Sequence, residues 1–196
     1  MAMAIVFLAV ITGLAANVLF EDKFTTLDPS WGAPDNVSAK DGKLIITADK
    51  NTDQTILNQA NILPNDMEAS YTVAFVKAGS PSTGSGLVFW GKDSNNWYDI
   101  LINADGWFTV EHQFKGRLLY PVDYRQDDTI KKGEGAENQV KVVTKGNQAT
   151  IFINGKKVVS LTGQSPEGGS LIGFKVSSGQ KGSNSVAFSN FKVVQP

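Results

Sequence analysis

The chain has 196 residues, a formal net charge of −1 and 41% hydrophobic residues, which is typical of one soluble domain. Its basic clusters are no longer than the pairs Lys131-Lys132 and Lys156-Lys157, so nucleic acid is excluded as a main partner. The absence of cysteine excludes disulfides and thiol catalysis, and the single histidine, His112, excludes a metal centre with several histidine ligands.

The N-terminal segment is apolar, and residues 1–15 are predicted to be a signal peptide. The run MAMAIVFLAVITGLAA ends in the small-x-small pattern Gly13-Leu14-Ala15, which is typical of a cleavage site. The run is too short to span a bilayer, and it lacks a preceding Lys or Arg, so a buried first strand is the alternative. The signal peptide predicts an exported protein, periplasmic or extracellular, whose mature domain comprises residues 16–196 and has no membrane span.

The rest of the chain predicts an antiparallel β-sandwich. Apolar residues alternate with period two and Gly, Asn and Asp separate the runs, whereas helical periodicity is nearly absent. Asn154-Gly155 is the strongest hairpin signal, because this pair favours a type I′ turn. The predicted strands are, in chain order, GKLIITA, ASYTVAFVKA, SGLVFWG, WYDILIN, WFTVEHQF, NQVKVVTKG, QATIFING, KKVVSLTG, SLIGFKVSS and SVAFSNFKVV.

The segment SGLVFWGKDSNNWYDILINADGWFTVEHQF is predicted to form three consecutive strands. A three-residue ADG turn and the pairing of Phe89 with Tyr98 keep one apolar face intact. The same register places His112 on that core face opposite Tyr98, where a structural role is expected. It also places Asp99 directly opposite Glu111 on the other face. Like charges placed directly opposite each other destabilise a sheet unless the pair serves a function.

That second face is the candidate ligand site. Two neighbouring carboxylates cannot both ionise cheaply, so Asp99 and Glu111 could form a catalytic acid–base pair, contact sugar hydroxyls or remain a hydrated pair. Aromatic and polar side chains on the same face are candidate substrate contacts. The alternative for the aromatic rings is packing in the interior. The alternative for Arg117 is a position on the surface without a ligand. These candidates are Trp90, Trp97, Trp107, Gln113 and Arg117.

Several stretches, in this order along the chain, resemble the concanavalin A-like lectin/glucanase superfamily, and most closely its bacterial 3-keto-disaccharide hydrolase-type domain. They are LFEDKF, DGKLII, SGLVFWGKDSNNWYDILINADGWFTV, GEGAENQVKVVTKGNQATIFINGKKV, GQSPEGGSLIGFKVSS and VAFSNFKV. The resemblance implies an all-β, two-sheet antiparallel jelly-roll sandwich with a sugar ligand on its concave sheet. It also implies a structural Ca²⁺ as a candidate at Asp22, with no other cofactor. The E-x-D-x-x-E motif of family 16 glucanases is absent, which argues against that machinery.

Three functions follow from these expectations. The first is an exported carbohydrate-binding protein. The second is a glycoside hydrolase or lyase acting on a keto-disaccharide, with Asp99 and Glu111 as its acid–base pair. The third is an envelope adhesion or structural domain without a small ligand. The sequence leaves the sugar, the linkage and the oligomeric state open.

Overall fold

A computed structural model describes residues 17–32 and 34–196, so the predicted signal peptide lies outside the described residues. The described chain forms strands almost throughout, with one short 3-10 helix at Pro29–Trp31. The strands are β1 (Val18–Asp22), β2 (Val37–Lys40), β3 (Lys43–Ala48), β4 (Asp53–Leu57), β5 (Met67–Ala78), β6 (Ser85–Asp93), β7 (Asn96–Ile102), β8 (Trp107–Phe114), β9 (Arg117–Gln126), β10 (Asn138–Lys145), β11 (Gln148–Ile153), β12 (Lys156–Thr162), β13 (Leu171–Ser177) and β14 (Asn184–Val194).

The strands form two antiparallel sheets, and the predicted jelly-roll sandwich is confirmed. An eight-stranded sheet has the order β12-β11-β10-β5-β14-β3-β2, with β1 pairing to β14. A six-stranded sheet has the order β4-β13-β6-β7-β8-β9. None of the helices in the described residues is long and apolar enough to cross a membrane.

The core lies between the sheets because strand residues alternate between an inward and an outward side. Phe174 of β13 stacks on Phe188 of β14 with ring centroids 4.2 Å apart, which joins the two sheets. The buried Tyr71 hydroxyl of β5 accepts a hydrogen bond from the backbone N–H of Leu87 at 3.1 Å. This bond crosses the sandwich and fixes β6 against β5.

The central register of the six-stranded sheet is the one expected from the sequence. Phe89 pairs with Tyr98, and Asp99 pairs with Glu111. The turn between β7 and β8 is the three-residue loop 104–106, in which Gly106 has a φ of 89°. A left-handed residue at this position is the geometry in which glycine carries no steric penalty. The Asn154-Gly155 hairpin between β11 and β12 is also confirmed, with φ angles of 49° and 81°.

Two irregularities depart from the predicted strands. In β6 the pairing with β7 breaks after Phe89 and resumes at Asp93, and Trp90 has a φ of 48°. In β9 the register with β8 shifts twice, once on each side of the pair Val110 and Val122. The strand β9 is absent from the predicted set because Pro121 and these bulges interrupt its alternation.

Candidate functional site

Three charged side chains meet on the outer face of the six-stranded sheet. The Lys175 Nζ of β13 lies 2.6 Å from Glu111 Oε2 and donates a hydrogen bond to it. The same Nζ lies 3.6 Å from Asp99 Oδ2. The three side chains are almost completely buried, with exposures of 5% or less. We call Asp99, Glu111 and Lys175 the charged network; its lysine explains how two facing carboxylates coexist.

The sheet is built so that Lys175 can reach the carboxylates. Lys175 pairs with Gly86 of β6, and Gly86 pairs with Leu101 of β7. A Cβ at Gly86 would come within 2.0 Å of the Ile100 carbonyl oxygen, so glycine at this position lets β6 pack closely against β7. Burying two anions and one cation is costly unless they compensate each other. The arrangement therefore depends on all three members.

Burial and mutual attraction set the protonation of the network. Burial raises the pKa of Asp99 to about 7, with Lys175 lowering it and Glu111 raising it further. Burial disfavours the charge of Lys175, but Asp99 and Glu111 outweigh that effect and raise its pKa. Within the described residues, Asp99 Oδ1 has no hydrogen-bond partner, whereas Oδ2 accepts a bond from Trp97 Nε1 at 3.2 Å. Asp99 can therefore exchange a proton near neutral pH.

Several aromatic side chains lie on the same face of the sheet as the network. Trp97 lies two residues before Asp99 on β7 and is half-buried. The two register shifts in β9 place Tyr120 near Glu111 and Tyr124 near Thr109, and the two tyrosine rings lie 6.4 Å apart. Both tyrosines are partly exposed, at 47% and 41%. We call Tyr120, Tyr124, Trp97 and Trp107 the aromatic rim.

The remaining predicted positions on β8 and β9 divide between the two faces. Trp107 is 39% exposed and follows the outward alternation of Glu111, as predicted. Gln113 pairs with Trp97 on the outer face and is half-buried. Arg117 pairs with Phe114, which lies on the opposite face, so the prediction that Arg117 shares the face of Gln113 is wrong. The β8–β9 turn at Lys115-Gly116 fixes this register, and Leu118 takes the place opposite Gln113.

The prediction that Trp90 shares the face of Trp97 is also wrong. The break in β6 turns Trp90 into the interior, where its exposure is 2%. Its ring packs against Phe89 at 5.4 Å and edge-on against Tyr98 at 5.5 Å. Trp90 therefore cannot contribute to the aromatic rim.

The predicted position of His112 opposite Tyr98 is confirmed. His112 pairs with Tyr98, and the two rings stack with centroids 3.8 Å apart. The imidazole is only half-buried, and partial burial lowers its pKa. It faces away from the charged network, because it follows Glu111 directly along β8.

The candidate metal position, Asp22, is engaged in local hydrogen bonds. Its Oδ1 accepts from the backbone N–H of Phe24 at 2.7 Å, and its Oδ2 accepts from Trp31 Nε1 at 2.8 Å. Across residues 17–32 and 34–196, no cluster of three His, Cys, Asp or Glu side chains is placed to hold a metal ion. A calcium role for Asp22 stays a prediction.

The sequence analysis missed Lys175, Tyr120 and Tyr124. Lys175 stands between the inward-facing Phe174 and Val176, and this interruption of an apolar strand was the available signal. It could not be used because the pairing of β13 with β6 joins residues far apart in the chain. The two tyrosines could not be placed by alternation, because β9 carries two bulges.

The two antiparallel sheets define the class of protein: an all-β jelly-roll sandwich. A family model described as the 3-keto-alpha-glucoside-1,2-lyase-like domain matches residues 15–194. The chain belongs to that family. No curated protein has a sequence that matches this chain.

Solved structures with the same fold share little sequence identity with this chain. Carbohydrate-binding module CBM66 from Bacillus subtilis is 14% identical, with a TM-score of 0.61 over 93% of this chain and 99% of that one. The catalytic domain of an endo-1,3-beta-glucanase (laminarinase) from Thermotoga petrophila RKU-1 is 8% identical, with a TM-score of 0.66 over 91% and 97%. The exoplasmic/lumenal domain of VIP36, solved in a Ca²⁺/Man3GlcNAc-bound form, is 13% identical, with a TM-score of 0.64 over 90% of both chains.

Proposed function

We propose that this protein binds carbohydrate on the outer face of the six-stranded sheet. The observation that carries the proposal is the position of partly exposed aromatic rings beside a buried charged network. Aromatic rings offer a flat apolar surface to the C–H face of a pyranose, and the half-buried Gln113 beside Trp97 offers an amide for hydrogen bonds. The sandwich neighbours include a carbohydrate-binding module and a glycan-bound domain, which supports a sugar ligand for this fold.

The binding proposal is tested with Tyr124→Ala, measured by calorimetry against neutral mono- and disaccharides. Tyr124 is partly exposed, so the variant should fold, and the loss of one ring contact should weaken binding about tenfold, or 1.4 kcal/mol. Phe152→Ala is the matched control, because Phe152 is a half-buried ring on the outer face of the other sheet. Equal weakening in both variants, or silence of the whole sugar panel, would favour the adhesion or structural alternative.

A second function, elimination on a keto-disaccharide, is favoured by the protonation of Asp99. A keto group at C3 acidifies the C2–H bond. In a 1,2-elimination a base takes that proton, the electron pair forms a C1–C2 double bond, and the glycosidic oxygen leaves with a proton from an acid. Asp99, with its pKa near 7, suits the base at neutral pH. Lys175 is the cation that would stabilise the developing enolate, and Glu111 positions the lysine.

The enzymatic alternative requires access to the network, so part of the aromatic rim must move when substrate binds. Turnover of 3-keto-disaccharides, followed by the ultraviolet absorbance of the enone product, tests it. Asp99→Asn should lower kcat by about 10²–10⁴-fold with little change in KM, whereas Tyr124→Ala should raise KM. If the wild-type protein binds sugar without any turnover, the enzymatic alternative is excluded and only the binding function remains.

We also propose that the protein is exported and cleaved after Ala15. The support is the apolar run that ends at Gly13-Leu14-Ala15. Mass spectrometry of protein recovered from the periplasm or medium of a bacterial host should find an N-terminus at Ala16. Recovery of the intact N-terminus from the cytoplasm alone would contradict export.

A further inference from the structure

A cleft lies beside β7 and β8, under the loop between β12 and β13. It has a volume of about 340 Å³, and its walls include Trp90, Tyr98, His112 and Phe114. Tyr98 and His112 alternate with Asp99 and Glu111, so these two rings lie on the opposite face from the charged network. Trp97 of the aromatic rim also lines the cleft. We call this cavity the aromatic cleft.

The rings in the aromatic cleft form a continuous apolar wall. His112 stacks on Tyr98, and its centroid lies 5.4 Å from that of Phe114. The Trp90 ring meets the Tyr98 ring edge-on at an interplanar angle of 84°. Among the described residues, no hydrogen bond is made by the His112 ring. The wall therefore offers ring faces together with one polar imidazole that is available to a ligand.

The cleft is preformed by the backbone around it. Trp90 sits in the left-handed region at a φ of 48°, a strained conformation for a bulky residue that its surroundings must hold in place. Gly163 brings the overlying loop close, because a Cβ there would come within 2.6 Å of the Trp90 ring. The Tyr98 hydroxyl accepts a hydrogen bond from the Gln164 N–H at 3.2 Å, which anchors the loop.

The rim of the aromatic cleft carries an excess of positive charge. Lys92 and Lys115 line it, against the single carboxylate of Glu167. The Lys115 Nζ lies 5.1 Å from the centroid of Phe114, so its charge is held at the edge of the ring wall. A ligand that matches both features has a flat apolar face and a negatively charged substituent.

We propose that the aromatic cleft binds a single pyranose ring that carries a carboxylate, a uronic acid residue. The C–H face of the ring lies on the wall formed by Tyr98, His112 and Phe114, and the carboxylate pairs with Lys115. The volume suits one ring, since small-ligand sites begin at about 300 Å³. The cleft adjoins the proposed sugar site through Trp97, which belongs to the aromatic rim and also lines the cleft, so a chain of sugars could be held at two points.

The test is binding of methyl β-D-glucuronide, followed by ligand-observed NMR and calorimetry on the full chain. Methyl β-D-glucoside has the same ring without the carboxylate, and 4-hydroxybenzoate has the charge on an aromatic ring. We expect the glucuronide to bind at least about fivefold more tightly than the glucoside, a difference of about 1 kcal/mol. Stronger binding of 4-hydroxybenzoate, equal binding of the two glycosides, or no glucuronide signal at millimolar concentration would overturn the proposal.

Variants test whether the glucuronide binds in the aromatic cleft. Lys115→Gln should remove the preference for glucuronide over glucoside, and His112→Ala should weaken both glycosides. Lys145→Gln is the matched control, because Lys145 is exposed at the end of β10, and it should change nothing. Tyr124→Ala should leave glucuronide binding intact, even if the proposal for the outer face fails. Loss of glucuronide binding in Tyr124→Ala but not in His112→Ala would assign the ligand to the other face and overturn the inference.

Discussion

Lys175 of β13 reaches Glu111 of β8 across two intervening strands, and its Nζ lies 2.6 Å from Glu111 Oε2. The contact joins strands that are three positions apart in the sheet order and ties the β4–β13 side of the sheet to its β8–β9 side. It also neutralises a carboxylate that stands opposite another carboxylate. The stability of the sheet, the protonation of the charged network and the proposed chemistry therefore all depend on Lys175.

Replacement of Lys175 by methionine should destabilise the fold. The methionine fills a similar volume but leaves Asp99 and Glu111 buried without a cation, a change that costs about 3–5 kcal/mol. Lys141→Met is the control, because Lys141 pairs with Glu68 at 3.2 Å on a half-exposed surface, where a pair contributes about 0–1 kcal/mol. Denaturant unfolding measures both, and similar losses in the two variants would contradict the importance of the network.

Asp99 should give the protein a stability that falls as pH rises. Its pKa is about 7 in the folded protein and 3.8 ordinarily, so between these values the folded state holds more protons than the unfolded state. By linkage the free energy of unfolding then decreases with pH, by at most about 1.4 kcal/mol per pH unit for one proton. Asp99→Asn should flatten this slope in unfolding experiments between pH values of about 4 and 7.

The control for this pH dependence is Asp93→Asn. Hydrogen bonds from Asn95 and Asn96 lower the pKa of Asp93, so that carboxylate contributes stability that is lost on acidification. Its replacement should leave the negative slope of the wild-type protein in place. An unchanged slope in Asp99→Asn would show that Asp99 titrates in the same range whether the chain is folded or unfolded.

Truncation to alanine should lower the free energy of unfolding far more at Trp90 than at Trp107. Trp90 is 2% exposed and packs against Phe89 and Tyr98, so Trp90→Ala leaves a cavity and should cost about 3–5 kcal/mol. Trp107 is 39% exposed, and its truncation should cost about 1 kcal/mol or less, as expected for a surface position. Thermal and denaturant unfolding measure both, and equal losses would place Trp90 outside the core.

A methyl group at Gly86 should be poorly tolerated. A Cβ at this position would come within 2.0 Å of the Ile100 carbonyl oxygen and 3.0 Å of the Tyr71 hydroxyl, so β6 and β7 would have to separate. Gly86→Ala should cost more than the 1–3 kcal/mol typical of overpacking. Gly155→Ala is the comparison, because its Cβ meets open space and only its φ of 81° is unfavourable. Equal stability of the two variants would show that β6 can shift freely.

The sequence was sufficient for the parts of the fold that depend on local periodicity. Alternation and the ADG turn predicted the pairing of Asp99 with Glu111 and of Tyr98 with His112, because each hairpin joins neighbouring segments. Prediction failed where the period of two is broken. The bend at Trp90 and the bulges on both sides of Val122 move side chains to the other face without any change in composition.

The candidate site was predictable only in part for a related reason. Its two carboxylates lie on adjacent strands of one hairpin, whereas Lys175 comes from β13, which pairs with β6 across a long stretch of chain. A single sequence contains no direct signal for that pairing. The aromatic rim was anticipated at Trp97 and Trp107, but its two tyrosines depend on the irregular strand β9.

The irregularity of β9 also affects what can attach to the sheet. β9 is the last strand of the six-stranded sheet, and one of its sides has no neighbouring strand among the described residues. An exposed regular edge invites another chain to add a strand, and bulges, charges and proline are the features that discourage such addition. Pro121, Asp123 and Arg125 supply them here, within a strand that also exposes Leu118 and Leu119. The bulges that orient the tyrosines should therefore also protect the protein against edge-to-edge aggregation.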